Sequence, residues 1–127
     1  MLFSGGLDST ILAALLCEIL PSDIGLDLVN VSMRPEDAPD RITSILSFYE
    51  LLKRRKNVRL ICADYPIEEI MQNSKILKLI APKSSHMDFN IASALHYASK
   101  GEGELFDVAY YESDHFKETL ARLETRD

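Results

Sequence analysis

The chain has 127 residues, enough for one domain with a sizeable core. Its 46% hydrophobic and 27% charged content is that of an ordinary globular protein. A net charge of −6, from 14 basic and 20 acidic residues, argues against nonspecific nucleic-acid binding over the whole surface. One local basic run, Lys53-Arg54-Arg55-Lys56, reads as the solvated last turn of a helix, where cations suit the dipole. Cys17 and Cys62 both sit in apolar runs and read as buried free thiols of a reducing compartment, without zinc spacing around them. The longest apolar run, Ile11 to Cys17, is too short for a bilayer, and no signal-peptide pattern precedes it. The expected location is cytoplasmic, with no membrane partner.

Met1 to Phe3 reads as a minimal first strand, against about five or six residues in a usual strand. Asp8 to Leu20 reads as a helix that is apolar on nearly all sides (Ile11, Leu12, Ala13, Ala14, Leu15, Leu16) and so needs cover on most of them. Between the two lies Ser4-Gly5-Gly6. A strand, a glycine turn and a helix N-terminus make an anion site, because unpaired N–H groups and the helix dipole face the ligand. Glycines let the main chain approach a phosphate closely. Ser4 and Ser9 can add hydroxyl donors, and Asp8 can hold a Mg²⁺. The plainer alternative is a Gly-Gly turn in which Asp8 merely caps the helix. A Walker A loop is absent, along with its lysine.

Leu26 to Met33 reads as the second strand, with Leu26, Leu28, Val29 and Val31 as its apolar part. After a polar loop from Arg34 to Pro39, Asp40 is a candidate N-cap for a helix to Arg55. Its expected apolar face is Ile42, Ile45, Leu46, Tyr49 and Leu52. Val58 to Ala63 is a third strand, with Ile61 and Cys62 on opposite faces. Pro66 fits the first turn of a further helix burying Ile67, Ile70, Met71 and Leu77. A turn at Pro82 leads to a helix over Asp88 to Lys100, ended by Gly101-Glu102-Gly103. Leu105 to Tyr111 is a fourth strand candidate, and Lys117 to Arg126 a polar terminal helix or tail. This alternation predicts an α/β fold: a parallel twisted sheet with helices on both faces. Ligands of such sheets bind beyond the carboxyl ends of the strands, where Ser4 to Ser9 lies.

Several polar residues read as ordinary surface. His86 and His96 have no partner at metal spacing, and Glu68-Glu69, Glu102 and Glu104 read as solvated acids. Tyr110-Tyr111 reads as sheet edge or partner surface, while Arg34 and Arg41 either reach a phosphate or stay on the surface.

Ser4-Gly5-Gly6-Leu7-Asp8-Ser9 resembles the SGGxDS signature of the PP-loop ATP pyrophosphatases, whose fold is adenine nucleotide alpha hydrolase-like. With Asp40-Arg41-Ile42-Thr43, Met87-Asp88 and the run Ala94 to Gly101, the chain is similar to the synthetase domain of the asparagine synthetases, and among them to the eukaryotic asparagine synthetase domain-containing proteins. The similarity extends over residues 1 to about 103. It implies ATP and Mg²⁺ as ligands and activation of a carboxylate as an acyl-adenylate for amide synthesis. Pyrophosphate would then sit on Ser4, Gly5, Gly6, Asp8 and Ser9, and adenine against Val31, Ser32 and Met33. Asp8 would be catalytic and metal-binding, and Asp114 a second catalytic residue in the segment Tyr110 to His115.

The departures shape the expectation of one reduced domain, residues 1–127. No glutaminase domain precedes the loop, so glutamine hydrolysis is not expected of this chain. The glycines of the family's later acidic loop are replaced, and the helical remainder of the synthetase domain is missing. Two functions follow as alternatives: an ATP-binding, adenylate-forming domain, or a degenerate, non-catalytic one serving as an interaction module in a larger complex. The short first strand leaves a sheet edge that invites a protein partner.

Overall fold

The computed structural model describes residues 1–33 and 38–111, together with 113, 114, 117, 118 and 121. The elements in order are α1 (Leu7–Ile19), β1 (Leu26–Ser32), α2 (Pro39–Arg54), β2 (Val58–Asp64), α3 (Ile67–Met71), α4 (Ser74–Ile80), α5 (His86–Ser99), β3 (Glu104–Leu105) and α6 (Val108–Tyr111). β1 and β2 pair in parallel from Leu26↔Val58 to Ser32↔Asp64, and α2 makes the crossover between them.

The first strand is reduced to one parallel bridge, Leu2↔Val29. Two backbone bonds hold it: Phe3 N–H to Val29 O and Val29 N–H to Met1 O, each 2.8 Å. The Asn30 side chain then takes over, donating from Nδ2 to Phe3 O at 2.9 Å where the backbone ladder stops.

Two apolar layers flank the sheet. On one side Leu26, Leu28, Val58 and Leu60 pack with Phe3, with Ala13 and Cys17 of α1, and with Ile45, Phe48 and Leu51 of α2. On the other, Ile70, Ile76 and Tyr97 pack with Val31, Met33, Tyr65, Phe89 and Ala92. Alternate strand residues face opposite layers, as the pleat requires. The helices therefore lie on both faces, as expected of an α/β chain.

Several sequence expectations change. The sheet is mixed, because β3 runs antiparallel to β2. That strand is also short: the Asp107 carboxylate accepts the Ala109 N–H at 2.9 Å, which stops the strand and starts α6 where a strand to Tyr111 was expected. The helix after Pro66 is two helices, since Asn73 caps α4 by accepting from Lys75 N–H. Ile70 and Ile76 are buried there, whereas Met71 and Leu77 are exposed. α2 begins at Pro39 with Ala38 as N-cap, leaving Asp40 inside the first turn. It buries Ser44, Ile45, Phe48 and Leu51, a face rotated from the expected one.

The last change concerns α1, which is not covered on most sides. Leu7, Ile11, Leu12, Leu15 and Ile19 are 50 to 74% exposed. Only Ala13 and Cys17 are buried among its described residues. The expected terminal helix over Lys117 to Arg126 lies mostly outside the described residues. No helix of the described residues is long and apolar enough to cross a membrane.

Candidate functional site

The opening turn is built from Phe3 outward. Phe3 is fully buried and anchors the end of the bridge. Gly5 follows at φ +78, a left-handed conformation that favours glycine. A Cβ on Gly5 would lie 2.3 Å from the Ser44 amide nitrogen, so the loop rests directly on the backbone of α2. The Gly5 carbonyl accepts two hydroxyls, Thr10 Oγ1 at 3.2 Å and Ser47 Oγ at 2.9 Å.

Gly6 is the N-cap of α1, extended at φ −67 and ψ 170, and no side chain caps the helix. Asp8 lies inside the first helical turn with an exposed side chain, so it does not take the capping role considered from sequence. Ser4, Gly6, Leu7 and Asp8 are all exposed. Ser4 Oγ accepts the Gly6 N–H over a long 3.3 Å, and lies 3.2 Å from Ser9 Oγ. Ser9 Oγ donates to the Gly6 carbonyl at 3.1 Å. An uncapped helix N-terminus, one exposed carboxylate and two hydroxyls thus face solvent together. An oxyanion, and a hard cation sharing Asp8 with it, fit this donor set.

Val31, Ser32 and Met33 lie at the carboxyl end of β1, beside the strand segment that feeds the loop, so both expected regions share one end of the sheet. The Val31 and Met33 side chains belong to the second core layer. Ser32 is buried, and its carbonyl accepts the Tyr65 N–H at 2.9 Å. The exposed carboxylate of Asp114 pairs with Lys117 at 3.7 Å. No cluster of three or more histidine, cysteine or acidic side chains suited to a metal occurs among the described residues. Arg34 lies outside the described residues, as do the side chains of Tyr110 and Tyr111.

Arg41 is not the free surface residue that one of its two readings expected. It reaches inward from α2, donating Nε–H to Asn30 Oδ1 at 2.6 Å and pairing with Asp64. Asn30 thereby joins the Phe3 carbonyl, Arg41 and the ends of both parallel strands in one network. No sequence pattern marked Asn30, although a buried Asn inside an apolar strand is a signal in itself, since such a group must be bonded.

Beside this network Cys62, Ala63, Asp64, Tyr65, Glu102, Gly103 and Glu104 line a cavity of about 240 Å³. Burial pushes the Cys62 thiol up, and nearby Arg41 partly opposes this. Burial also raises Tyr65, with Glu102 adding to it. Lys100 sits 4.5 Å over the Tyr97 ring and 5.2 Å over that of Tyr65. His96 Nε2 lies 3.4 Å from Asn73 Nδ2 with its ring edge-on to Tyr97, a packing role.

Comparison with known proteins gives two curated relatives. An asparagine synthetase domain-containing protein of Saccharomyces cerevisiae is 36% identical over 83% of this chain and 23% of its own length. One of Drosophila melanogaster is 34% identical over 78% of this chain and 20% of its own. The chain thus spans less than a quarter of either relative. No family model matches the chain, and no solved structure does.

Proposed function

Since the chain is homologous to the asparagine synthetase domain-containing proteins, we propose that it is an asparagine synthetase-like domain that binds ATP and Mg²⁺ at its opening turn. In this reading the amides at the start of α1, with Ser4 and Ser9, hold the polyphosphate. Asp8 holds the metal, and the backbone at Val31 to Met33 borders the adenine. Held by the Asp8 carboxylate, Mg²⁺ would supply charge neutralisation for the polyphosphate. The chain's own contribution to forming an acyl-adenylate is a set of preorganised N–H donors for the departing pyrophosphate.

The observation that supports the reading best is the exposed, uncapped start of α1 beside a glycine whose added Cβ would meet the backbone of α2. Calorimetric titration with ATP·Mg²⁺, AMP and pyrophosphate tests it. Saturable binding of pyrophosphate-containing ligands is expected; no heat at millimolar ligand sinks the reading.

A second reading is favoured by the bare apolar face of α1: a domain that keeps the site without turnover and serves as an interaction module in a larger assembly. Binding of ATP without release of pyrophosphate supports this alternative.

A further inference from the structure

Three hydroxyls lie within one turn and a half of α2, and they behave differently. Thr43 Oγ1 donates to the Pro39 carbonyl at 3.2 Å and Ser44 Oγ to the Arg41 carbonyl at 2.7 Å. Both are the local bonds that helical hydroxyls ordinarily make. Ser47 leaves its helix and donates 2.9 Å across to the Gly5 carbonyl. Thr10, one turn into α1, donates to the same oxygen.

Those two bonds act on a peptide plane. In a trans peptide the carbonyl and the following N–H point in opposite directions. Drawing the Gly5 carbonyl toward α1 and α2 therefore turns the Gly6 N–H the other way, toward Ser4 and solvent. There it is held only by a 3.3 Å bond to Ser4 Oγ. Gly5 at φ +78 has little intrinsic preference for one orientation of this peptide, so outside bonds must select it.

We propose that Ser47, helped by Thr10, is a positioning residue of the opening turn: by fixing the Gly5 carbonyl it aims the Gly6 N–H at a bound phosphate. This inference rests on the phosphate-binding reading of the turn. It places a determinant of ligand affinity on a helix that need not touch the ligand, 42 residues from Gly5.

The experiment uses the full chain with pyrophosphate and Mg²⁺ as the probe. It compares wild type, Ser47→Ala, Ser47→Thr and the near-isosteric Thr10→Val, and reads both affinity and the backbone amide resonance of Gly6. Loss of one such bond is expected to weaken binding about five- to tenfold in Ser47→Ala. Ser47→Thr, which keeps the hydroxyl, is expected to restore affinity to within about twofold. The Gly6 amide should shift in free Ser47→Ala and in free Thr10→Val, and should move on ligand addition in wild type. A helix-stability role alone would not move that resonance. If wild type binds and Ser47→Ala and Thr10→Val both bind equally well, the positioning role is overturned and the phosphate reading stands. A Gly6 amide unmoved by saturating pyrophosphate overturns it as well, whether or not the variants fold. If wild type binds no pyrophosphate, the phosphate reading fails and the inference fails with it.

Discussion

The Arg55 guanidinium, just past the end of α2, reaches the backbone of Cys17 near the end of α1. Nη1 donates to the Cys17 carbonyl at 3.1 Å and to the Leu20 carbonyl at 2.8 Å, and Nη2 donates to the Pro21 and Ile24 carbonyls. The last turn of α1 contains no basic residue of its own. Arg55 supplies from another helix the cation and donors that the orphan carbonyls need.

Replacing Arg55 should accordingly cost more than replacing its neighbours. Lys53 and Arg54 are solvated as expected of the basic run, with side chains 69 and 61% exposed. Bonds to a charged group contribute roughly 1.5–3 kcal/mol each, so Arg55→Ala should lower unfolding free energy by about 2–4 kcal/mol. Lys53→Ala should stay within about 0.5 kcal/mol. Arg55→Lys should recover only part of the loss, because an ammonium cannot span four carbonyls with a planar fork. Urea denaturation checks all three, and equal losses for Arg55→Ala and Lys53→Ala would refute the cross-helix cap.

Gly5→Ala tests how the opening turn is seated. Alanine meets two penalties there: a left-handed backbone, about 1–2 kcal/mol, and a Cβ 2.3 Å from the Ser44 nitrogen. Because the obstacle is helix backbone, relief requires moving the loop off α2. The variant should lose about 2–4 kcal/mol of stability and its pyrophosphate affinity together, seen by thermal denaturation and calorimetry. Gly6→Ala, whose Cβ would come only to 3.4 Å of Ser4 Oγ, should be far milder in stability. Comparable destabilisation by the two substitutions would contradict this seating.

The thiols make stability fall at alkaline pH. Burial raises both Cys17 and Cys62, against opposing effects of Arg55 and Arg41 respectively. A raised folded-state value means that the unfolded chain loses its thiol protons first. The stabilising contribution is complete below the unfolded thiol's value and is lost as pH rises through the folded one. Unfolding free energy should therefore decline through the mildly alkaline range, and Cys62→Ser should flatten part of that decline. Burial also raises Tyr65, which extends the loss to higher pH. A pH profile unchanged by Cys62→Ser would show that the thiol is not responsible. Iodoacetamide should also label Cys17, buried, more slowly than Cys62, which is half-buried.

What the sequence determined by itself was local and periodic. Alternating apolar patterns located β1, β2, α1, α2 and α5, because strand and helix periods are written in neighbouring residues. Gly101 ended α5 as read, at φ +67 with its N–H on the Ala98 carbonyl. The string Ser4 to Ser9 pointed to the turn between strand and helix, and homology with two asparagine synthetase domain-containing proteins agrees with that resemblance. The capping pair Ser85 and Asp88, which starts α5 two residues before the expected Asp88, is itself a local sequence signal.

The tertiary structure alone decided where long side chains go. Arg55 lies in a basic run that reads as solvated, and Arg41 beside a polar loop reads as either a phosphate contact or surface. Each instead turns inward to oxygens more than ten residues away. Nothing local encodes that choice, because it depends on which helix ends the crossover brings together. The same holds for the bare face of α1: an apolar pattern records that a surface suits burial, whereas cover depends on how far the sheet extends beside it. Among the described residues, five large apolar side chains of α1 remain exposed.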